Sequence, residues 1–454
     1  MKIVMLSGGS GKRLWPLSND SRSKQFLKVL RNEQGNLESM VQRVKRQIAN
    51  FFPDNDIFIA TSKSQVDMIE TQLGKDVTVL VEPERRDTFP AIALAATYLY
   101  SVEGVGLDEV ICVLPVDPYV EEQFFESILS LENAINLSGA ELALMGVKPT
   151  YPSEKYGYIV PSKEEQVNQT FYKVSHFVEK PEGRIAQNLI SQNAYWNCGV
   201  FAFKLDKIIT RLESKGLPVT YDQLLNTYHT LIKTSFDYEI VEKTNDIVFV
   251  PYAGDWKDLG TWNTLTEEMR KHLIGRGYIS EDSINTHLIN ELDIPVTVLG
   301  ISNAIVAVSP DGILVSDKVS SPKVKEAIKD FNQITMYEER RWGFYRVLDY
   351  TKKDNEEVLT RRIGIRKDKN LSYQYHKKRK EIWTVMSGEG ELVLEGINTV
   401  IRAGDVIQIN PLEKHAVKAL TDLEFIEVQI GTELTEEDIF RVCMTWDELK
   451  QLNI

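Results

Sequence analysis

The first residues that could do chemistry stand close to the start of the chain. The apolar run Ile3-Val4-Met5-Leu6 breaks into Ser7-Gly8-Gly9-Ser10-Gly11-Lys12-Arg13. Glycines at 8, 9 and 11 admit positive φ and close backbone approach. Their N–H groups can converge on the phosphates of a nucleotide, and Lys12 and Arg13 add charge where phosphates would sit. No GKS or GKT follows at Walker spacing, and the third glycine is misplaced for a dinucleotide fingerprint. On glycines alone, a tight strand-to-helix turn explains the segment equally well. Asp117 is the second candidate. It follows Val110-Ile111-Cys112-Val113-Leu114 at the end of a continuous apolar run. A carboxylate there lies in the crevice where α/β sheets bind ligands.

The elements that must position these groups are legible from hydrophobic patterning. Ile3–Leu6, Ile57–Ala60, Val77–Val81 and Val110–Leu114 read as strands, the last buried on both faces. Residues 64–73 have helical spacing. Residues 90–100 read as a helix with Pro90 near its first turn, where a missing N–H costs nothing. This alternation predicts a doubly wound α/β domain with a mostly parallel sheet. Leu142–Val147, Val200–Phe203 and Ile247–Val250 continue it. Near residue 280 the pattern changes. Residues 294–316 read as short strands broken by Gly300, Ser302-Asn303 and Ser309-Pro310-Asp311-Gly312, an all-β connector with tight turns. A charged helix is predicted over 323–332. From Trp342 to Gln429 the reading is all-β, with strands at 382–386, 390–394, 399–402, 406–409 and 425–429. Strands at this spacing suggest a small barrel or jelly roll.

Composition limits the function classes. The chain has 454 residues, 43% hydrophobic and 26% charged. That is too long for one ordinary core, and two or three domains of roughly 100–200 residues are expected. A net charge of -13 is opposite to that of a non-specific nucleic-acid or anionic-membrane binder. Cys112, Cys198 and Cys443 lie far apart without a CxxC pair, so neither a disulfide framework nor a cysteine zinc site is supported. A reducing cytoplasm fits. The opening apolar run is shorter than the roughly 7–15 residues of a signal-peptide core, and no run reaches the roughly 20 of a membrane span.

Gly8-Gly9-Ser10-Gly11-Lys12-Arg13-Leu14-Trp15-Pro16-Leu17-Ser18, with Lys24-Gln25-Phe26-Leu27, resembles the signature of bacterial mannose-1-phosphate guanylyltransferases, which are sugar-nucleotidyltransferases. The resemblance continues in order through the chain. It implies a Rossmann-like nucleotidyltransferase domain over 1–275, a β-rich connector with a helix over 276–334, and a cupin-like domain over 335–454. It implies transfer of GMP from GTP to mannose 1-phosphate with Mg²⁺. Ser7, Gly8, Gly9, Gly11 and Lys12 would bind the nucleotide, and Arg13 and Lys24 would act on its phosphates. Glu82-Pro83-Glu84-Arg85-Arg86-Asp87-Thr88-Phe89-Pro90 resembles the purine-contacting segment, with Asp87, Thr88 and Pro90 as contacts. Asp87 and Phe89 replace the family's usual Asn and Ala. An Asp acceptor suits the N1–H and N2 donors of guanine, while an N-cap is the plainer reading of Asp87 or Thr88. Asp117 would hold Mg²⁺, as would Asp258 in Asp255-Trp256-Lys257-Asp258-Leu259-Gly260; two carboxylates with phosphate oxygens suit that ion. Gly157, Glu179, Lys180 and Asn197 would form the sugar-phosphate pocket, with Lys180 on the phosphate. Tyr238, Glu239 and Glu242 are further candidates for its sugar side. A homodimer is implied by the resemblance alone. The alternatives are the same chemistry on another hexose- or heptose-1-phosphate or nucleoside triphosphate, and a non-catalytic nucleotide-sugar sensor.

Tyr373-Gln374-Tyr375-His376-Lys377-Lys378-Arg379-Lys380-Glu381-Ile382-Trp383 and Asn410-Pro411-Leu412-Glu413-Lys414-His415 resemble the two cupin motifs of type II mannose-6-phosphate isomerases. Lys378 and Ile382 replace two of the family's histidines. Gln374, His376, Glu381 and His415 remain as ligands for Zn²⁺ or another divalent transition metal. The replacements, with Lys378 placing a cation near such a metal, weigh against isomerase activity. The competing expectation is a degenerate cupin that stabilises the enzyme or helps it oligomerise.

Overall fold

The computed structural model describes residues 1–9, 11–19, 21–162, 170–331 and 333–452. Ser10 of the glycine loop and Asn332 at the end of the expected charged helix lie outside these residues. The chain forms two compact units. The first is Met1–Leu14 with Ser23–Lys271, and the second is Trp15–Arg22 with His272–Ile454.

The first unit is built on a nine-stranded sheet. Its order is Thr78–Glu82, Ile57–Ser62, Lys2–Ser7, Val110–Pro115, Tyr195–Lys204, Leu142–Val147, Ile247–Tyr252, Tyr172–Val178, Tyr158–Pro161. Seven of the nine strands share one direction, and Tyr195–Lys204 and Tyr172–Val178 run against them. The central strands are apolar on both faces because both faces are covered. Met40–Ile48 and Glu122–Ser138 bury Val41, Val44, Phe124, Ile128 and Leu131 against one face. Thr88–Ser101 and Leu205–Ser214 bury Ile92, Leu99, Ile208 and Leu212 against the other. Met40–Ile48 begins at a capping box of Ser39 and Gln42, which satisfies two N-terminal donors reciprocally.

The second unit holds two kinds of β structure. His287–Asn290 pairs in parallel with Leu273–Ile274 and with Ala304–Ser309, and Gly277–Ile279 pairs in parallel with Val296–Val298. Gly312–Asp317 closes this part as an antiparallel edge. Leu288, Val298, Val306 and Val308 form its core. The stretch Trp15–Arg22 is tied to these strands. Ser309 Oγ donates to the Pro16 carbonyl at 2.7 Å and Asn19 Nδ2 donates to Asp311 at 2.9 Å. Arg22 forks onto both oxygens of Glu291 at 2.9 and 2.8 Å. The charged helix expected over 323–332 shrinks to a 3₁₀ turn at Ser321–Lys323 and one α turn at Val324–Ala327. Only Val324 and Ile328 of its apolar residues are buried, too little to sustain a longer helix.

The remainder is two facing antiparallel sheets, one of six and one of five strands. Ile363, Trp383, Val385 and Phe425 of the first pack on Leu392, Ile401 and Val417 of the second. This is the expected jelly roll. It also includes a long hairpin, Gly343–Lys353 with Glu356–Ile365, and a capped helix, Trp446–Gln451. No described helix is long and apolar enough to cross a membrane.

Candidate active site and a second polar cluster

Two short strands carry the acidic pair of the first unit. Asp117 lies between Val110–Pro115 and Pro118–Val120. Pro118–Val120 pairs antiparallel with Trp256–Asp258, with Asp258 opposite Pro118. This ribbon sets the two carboxylates side by side. Lys24, in the 3₁₀ turn Lys24–Phe26, places its ammonium between them. Its Nζ is 2.7 Å from Asp117 Oδ2 and 2.8 Å from Asp258 Oδ1. Burial alone would weaken the Lys24 charge, but the two carboxylates win and hold its pKa above the usual lysine value. Burial likewise opposes the charge on Asp258. Lys24, then Arg13 and Lys155, outweigh it and keep that carboxyl below the usual range.

The pair opens on a cavity of about 230 Å³. Gly157, Glu179, Asn197 and Asp237 line its other side. Asn197 gets there through an irregularity. The pairing of Tyr195–Lys204 with Leu142–Val147 shifts register between Asn197 and Phe201, and such a bulge re-aims side chains. Asn197 Nδ2 donates to Asp237 Oδ1 at 3.0 Å, and its Oδ1 accepts from the Gly199 N–H at 3.1 Å. The Glu179 N–H donates to Glu242 Oε1 at 3.2 Å. A side chain at Gly157 would displace the groups around it. An added Cβ would lie 2.5 Å from Glu179 Oε2 and 2.5 Å from the Phe177 ring. Burial, with the nearby Glu179 carboxylate, pushes Asp237 up to about 7. Tyr156 edges onto Trp196 and Trp256, with centroids 5.0 and 5.2 Å apart, as an aromatic wall.

The structure brings Lys24, Asp117, Asp258, Gly157, Glu179 and Asn197 together. Other expected residues sit differently. Lys180, at φ 45°, turns its ammonium onto Glu179 and does not line the cavity. Ser7 is fully buried and its hydroxyl accepts from Gln25 Nε2 at 3.3 Å, so any phosphate contact there falls to backbone. Gly9 adopts φ 121°, as a glycine loop requires. Gly8 has open space around it, Gly11 opens the 3₁₀ turn Gly11–Leu14, and Lys12 and Arg13 are exposed. Asp87 is the N-cap of Thr88–Ser101, accepting from the Thr88 N–H at 2.8 Å. Thr88 Oγ1 accepts from the Phe236 N–H at 2.8 Å, and Pro90 is buried within the helix's first turn. None of these three lines the cavity. Glu239 does not line this cavity. Arg211, Lys215 and Lys243 surround it and, against its burial, lower it to about 2. Tyr238 is exposed.

The jelly roll holds the second cluster. His376, Glu381 and His415 are all buried, with one ligand atom from each within 4.8 Å of the others. Glu381 Oε1 is 3.1 Å from His376 Nε2, and its Oε2 is 3.7 Å from His415 Nε2. Trp383 Nε1 and Gln429 Nε2 donate to Glu381 at 3.1 and 3.0 Å. His415 Nδ1 lies 3.0 Å from the Glu413 carbonyl, and His376 Nδ1 lies 2.9 Å from the Asp438 carbonyl. A carbonyl only accepts, so the Glu413 contact favours a proton on His415 Nδ1 and a lone pair on its Nε2, whereas His376 Nδ1 also lies 3.0 Å from Arg379 Nη2, a donor, and sits between an acceptor and a donor. Both Nε2 atoms are buried without a hydrogen-bond partner among the described residues. Two buried imidazoles and a carboxylate that converge in this way are a donor set that fits a divalent transition metal, with Arg379 Nε 3.4 Å from Glu381 Oε1 as a cation beside it. Burial opposes the Glu381 charge, but His376, His415 and Arg379 override it and hold the carboxyl well below its usual range. Gln374 sits opposite His415 in the adjoining strand, with its carbonyl oxygen taken by Ser372 Oγ at 2.7 Å.

The expectation that Lys378 brings a cation to this cluster is corrected. Along Arg379–Ser387 the residues at 379, 381 and 383 are buried, whereas Lys380 is exposed and Ile382 half-buried. Strand alternation puts 380 and 382 on the outer face. Lys378 is half-exposed and pairs with Glu433. Neither replaced position faces the ligands.

Both units have counterparts among known proteins. Residues 2–273 match the family described as Nucleotidyl transferase. This chain belongs to that family. Residues 329–443 of this nucleotidyltransferase match the family described as Mannose-6-phosphate isomerase C-terminal. The chain is 32% identical to the xanthan biosynthesis protein XanB of Xanthomonas campestris pv. campestris, over 96% of this chain and 97% of the relative. It is 28% identical to the mannose-1-phosphate guanylyltransferase RfbM of Salmonella typhimurium, over 97% of this chain and 96% of that protein. A solved protein described as a mannose-1-phosphate geranyltransferase, from Thermus thermophilus, superposes with a TM-score of 0.61. It is 28% identical and spans 72% of this chain and 98% of its own.

Sequence reasoning passed over Asp237, Lys155 and Tyr156 in this nucleotidyltransferase. Asp237 stood within Ser235-Phe236-Asp237-Tyr238-Glu239, where the more conspicuous acidic and aromatic neighbours drew attention. Its partnership with Asn197 spans forty positions, and no local spacing announces it. Tyr156 adjoins Gly157 in sequence, and its place in the aromatic wall depends on Trp196 and Trp256, which are distant along the chain.

Proposed function

We propose that the first unit transfers GMP from GTP to α-D-mannose 1-phosphate, yielding GDP-mannose and pyrophosphate. The observation that carries this reading is the Asp117–Lys24–Asp258 arrangement at a cavity lined by Glu179, Asn197 and Asp237. Full-length similarity to a protein named as a mannose-1-phosphate guanylyltransferase supports the choice of substrates. A phosphate oxygen of the sugar attacks the α-phosphorus of GTP in line, and the bond to the β-phosphate's bridging oxygen breaks as pyrophosphate leaves. The nucleophile is already an anion, so positioning and charge neutralisation carry the catalysis. Backbone N–H groups at Gly8, Gly9 and Gly11 cradle phosphate, with Ser7 contributing only its backbone, and Lys12, Arg13 and Lys24 supply charge. Asp87, Thr88 and Pro90 hold the segment that meets the base. Glu179, Asn197 and Asp237 accept from and donate to sugar hydroxyls.

Asp117 and Asp258 are a suitable donor set for Mg²⁺, which would supply charge neutralisation for the phosphate-bearing substrates. Lys24 occupies the position between them, so a cation there competes with its ammonium. A cytoplasmic setting fits three free cysteines, two of them buried. The division at 334/335 is supported by the separate strand pairings of the connector and the jelly roll, whereas the pairing of Leu273–Ile274 with His287–Asn290 favours a connector that begins a few residues before 276.

A second reading concerns the jelly roll. The unpartnered Nε2 atoms of His376 and His415 facing Glu381 favour a bound divalent transition metal, with Gln374 as the adjoining fourth candidate. Mannose-6-phosphate to fructose-6-phosphate conversion is the reaction to assay in protein reconstituted with Zn²⁺, Mn²⁺ or Co²⁺. For the first reading, pyrophosphate release is measured over a grid of nucleoside triphosphates and sugar 1-phosphates. GTP with mannose 1-phosphate should give the highest kcat/KM, and another pair ahead of it would overturn the substrate assignment.

A further inference from the structure

We propose that Lys155 binds the phosphate of the acceptor sugar, orienting it with its hexose toward Glu179, Asn197 and Asp237. This rests on the reading that the acceptor is a sugar 1-phosphate. A phosphate monoester carries close to two negative charges, and the cavity that must receive it is lined by Asp117, Asp258, Glu179 and Asp237. Four carboxylates repel such a group unless cations stand against it. The three lysines near the cavity differ in availability. The Lys24 ammonium is shared between Asp117 and Asp258. The Lys180 ammonium is bound to Glu179, and neither Lys24 nor Lys180 is among the residues lining the cavity. Lys155 alone of the basic residues lines it. Its ammonium has no hydrogen-bond or ion-pair partner among the described residues, yet it lies near enough to Asp258 to stabilise that carboxylate.

The backbone under Lys155 is fixed although its side chain is not. The Lys155 N–H donates to Ser153 Oγ at 3.1 Å. The Tyr158 hydroxyl accepts from the Ser153 N–H at 2.8 Å and donates to the Ser153 carbonyl at 3.0 Å. On one side Glu154 accepts from the Gly183 N–H at 2.7 Å. On the other, Tyr156 packs between Trp196 and Trp256. The ammonium therefore works from a rigid base at the cavity rim, on the Asp258 side. That end is where the reacting phosphate must meet the acidic pair. The opposite end presents acceptors and an amide, suited to hydroxyl groups.

The test uses full-length protein with Lys155→Met and Lys155→Arg. KM is measured separately for mannose 1-phosphate and GTP, and binding of mannose 1-phosphate and of inorganic phosphate is followed by calorimetry without nucleotide. Lys155→Met should raise KM for mannose 1-phosphate about 10- to 100-fold, as expected for a lost charge-assisted contact, with KM for GTP within about twofold. Lys155→Arg should recover most of the loss. An unchanged KM for mannose 1-phosphate would overturn the assignment, as would an equal rise in both KM values, which would place the ammonium on the nucleotide. A wild-type protein that forms no product, but loses mannose 1-phosphate affinity on Lys155→Met, would sink the transfer reaction and leave Lys155 as the phosphate ligand.

Discussion

The two polar clusters of this chain are built with opposite charge logic. In the first unit one ammonium stands between two carboxylates, so the chain supplies its own counter-charge and the group is satisfied internally. In the jelly roll one buried carboxylate stands between two imidazoles, 3.1 and 3.7 Å from their Nε2 atoms, with the Arg379 guanidinium beside it. A cation entering the first cluster must compete with Lys24. A cation entering the second meets a carboxylate and two imidazoles already facing one another. The first arrangement suits a metal that arrives with substrate phosphates and keeps much of its water; the second suits a resident metal held by nitrogen.

Asp258→Asn offers the largest break in this contrast. It should reduce kcat for pyrophosphate release by roughly 100-fold or more while leaving metal content of the jelly roll unchanged by elemental analysis. A near-normal kcat would remove Asp258 from the reaction. In the other region, His376→Ala should weaken metal binding beyond the roughly 10–100-fold typical of losing a ligand's hydrogen-bond partner. Lys378→His should leave the stoichiometry as it was, because position 378 faces outward. Equal effects of the two substitutions would show that the ligand set is drawn wrongly. Lys24→Met tests competition directly. Turnover should fall, yet Mn²⁺ binding measured by electron paramagnetic resonance without substrates should tighten by roughly tenfold. Weaker Mn²⁺ binding would mean that the lysine does not compete with the cation.

The smallest expected effect concerns pH. Asp237 is held at about 7 by burial and by Glu179, against about 3.9 when unfolded. Between these values the folded chain keeps a proton that the unfolded chain has lost. Stability from this group is therefore full below about pH 4 and declines as pH rises toward 7. Asp237→Asn removes that decline. The melting temperature of the variant relative to wild type should rise by roughly 5–10 °C from pH 5 to pH 8. A constant difference would show that Asp237 titrates normally.

Much of this was legible in the sequence, for reasons that differ by region. The central strands announced themselves because burial on both faces demands unbroken apolar runs, as at Val110–Pro115. Asp117 was readable because it ends such a run. Asp258 was readable only through resemblance, since its strand is three residues long and alone looks like a turn. The fate of Lys180 was not readable. Its positive φ and its pairing with the adjacent Glu179 depend on the fold around them. In the jelly roll the replaced histidines looked decisive as letters, but strand parity puts Ile382 on the outer face, and Lys378, just before the strand, is exposed and pairs with Glu433. Only a known register could show that. The expected charged helix failed because charge pattern reports solubility, whereas helix length is set by the apolar face available to bury.

The passage of Trp15–Arg22 into the second unit carries a consequence for modularity. The stretch is flanked by Leu14 and Ser23, and thus by the segments bearing Arg13 and Lys24. Its ties to Pro16, Asn19 and Arg22 come from Ser309, Asp311 and Glu291. A gene shortened after Lys271 would encode every cavity residue and still orphan this stretch. The boundary visible along the chain is therefore not a seam at which the protein can be cut, swapped or recombined as independent parts.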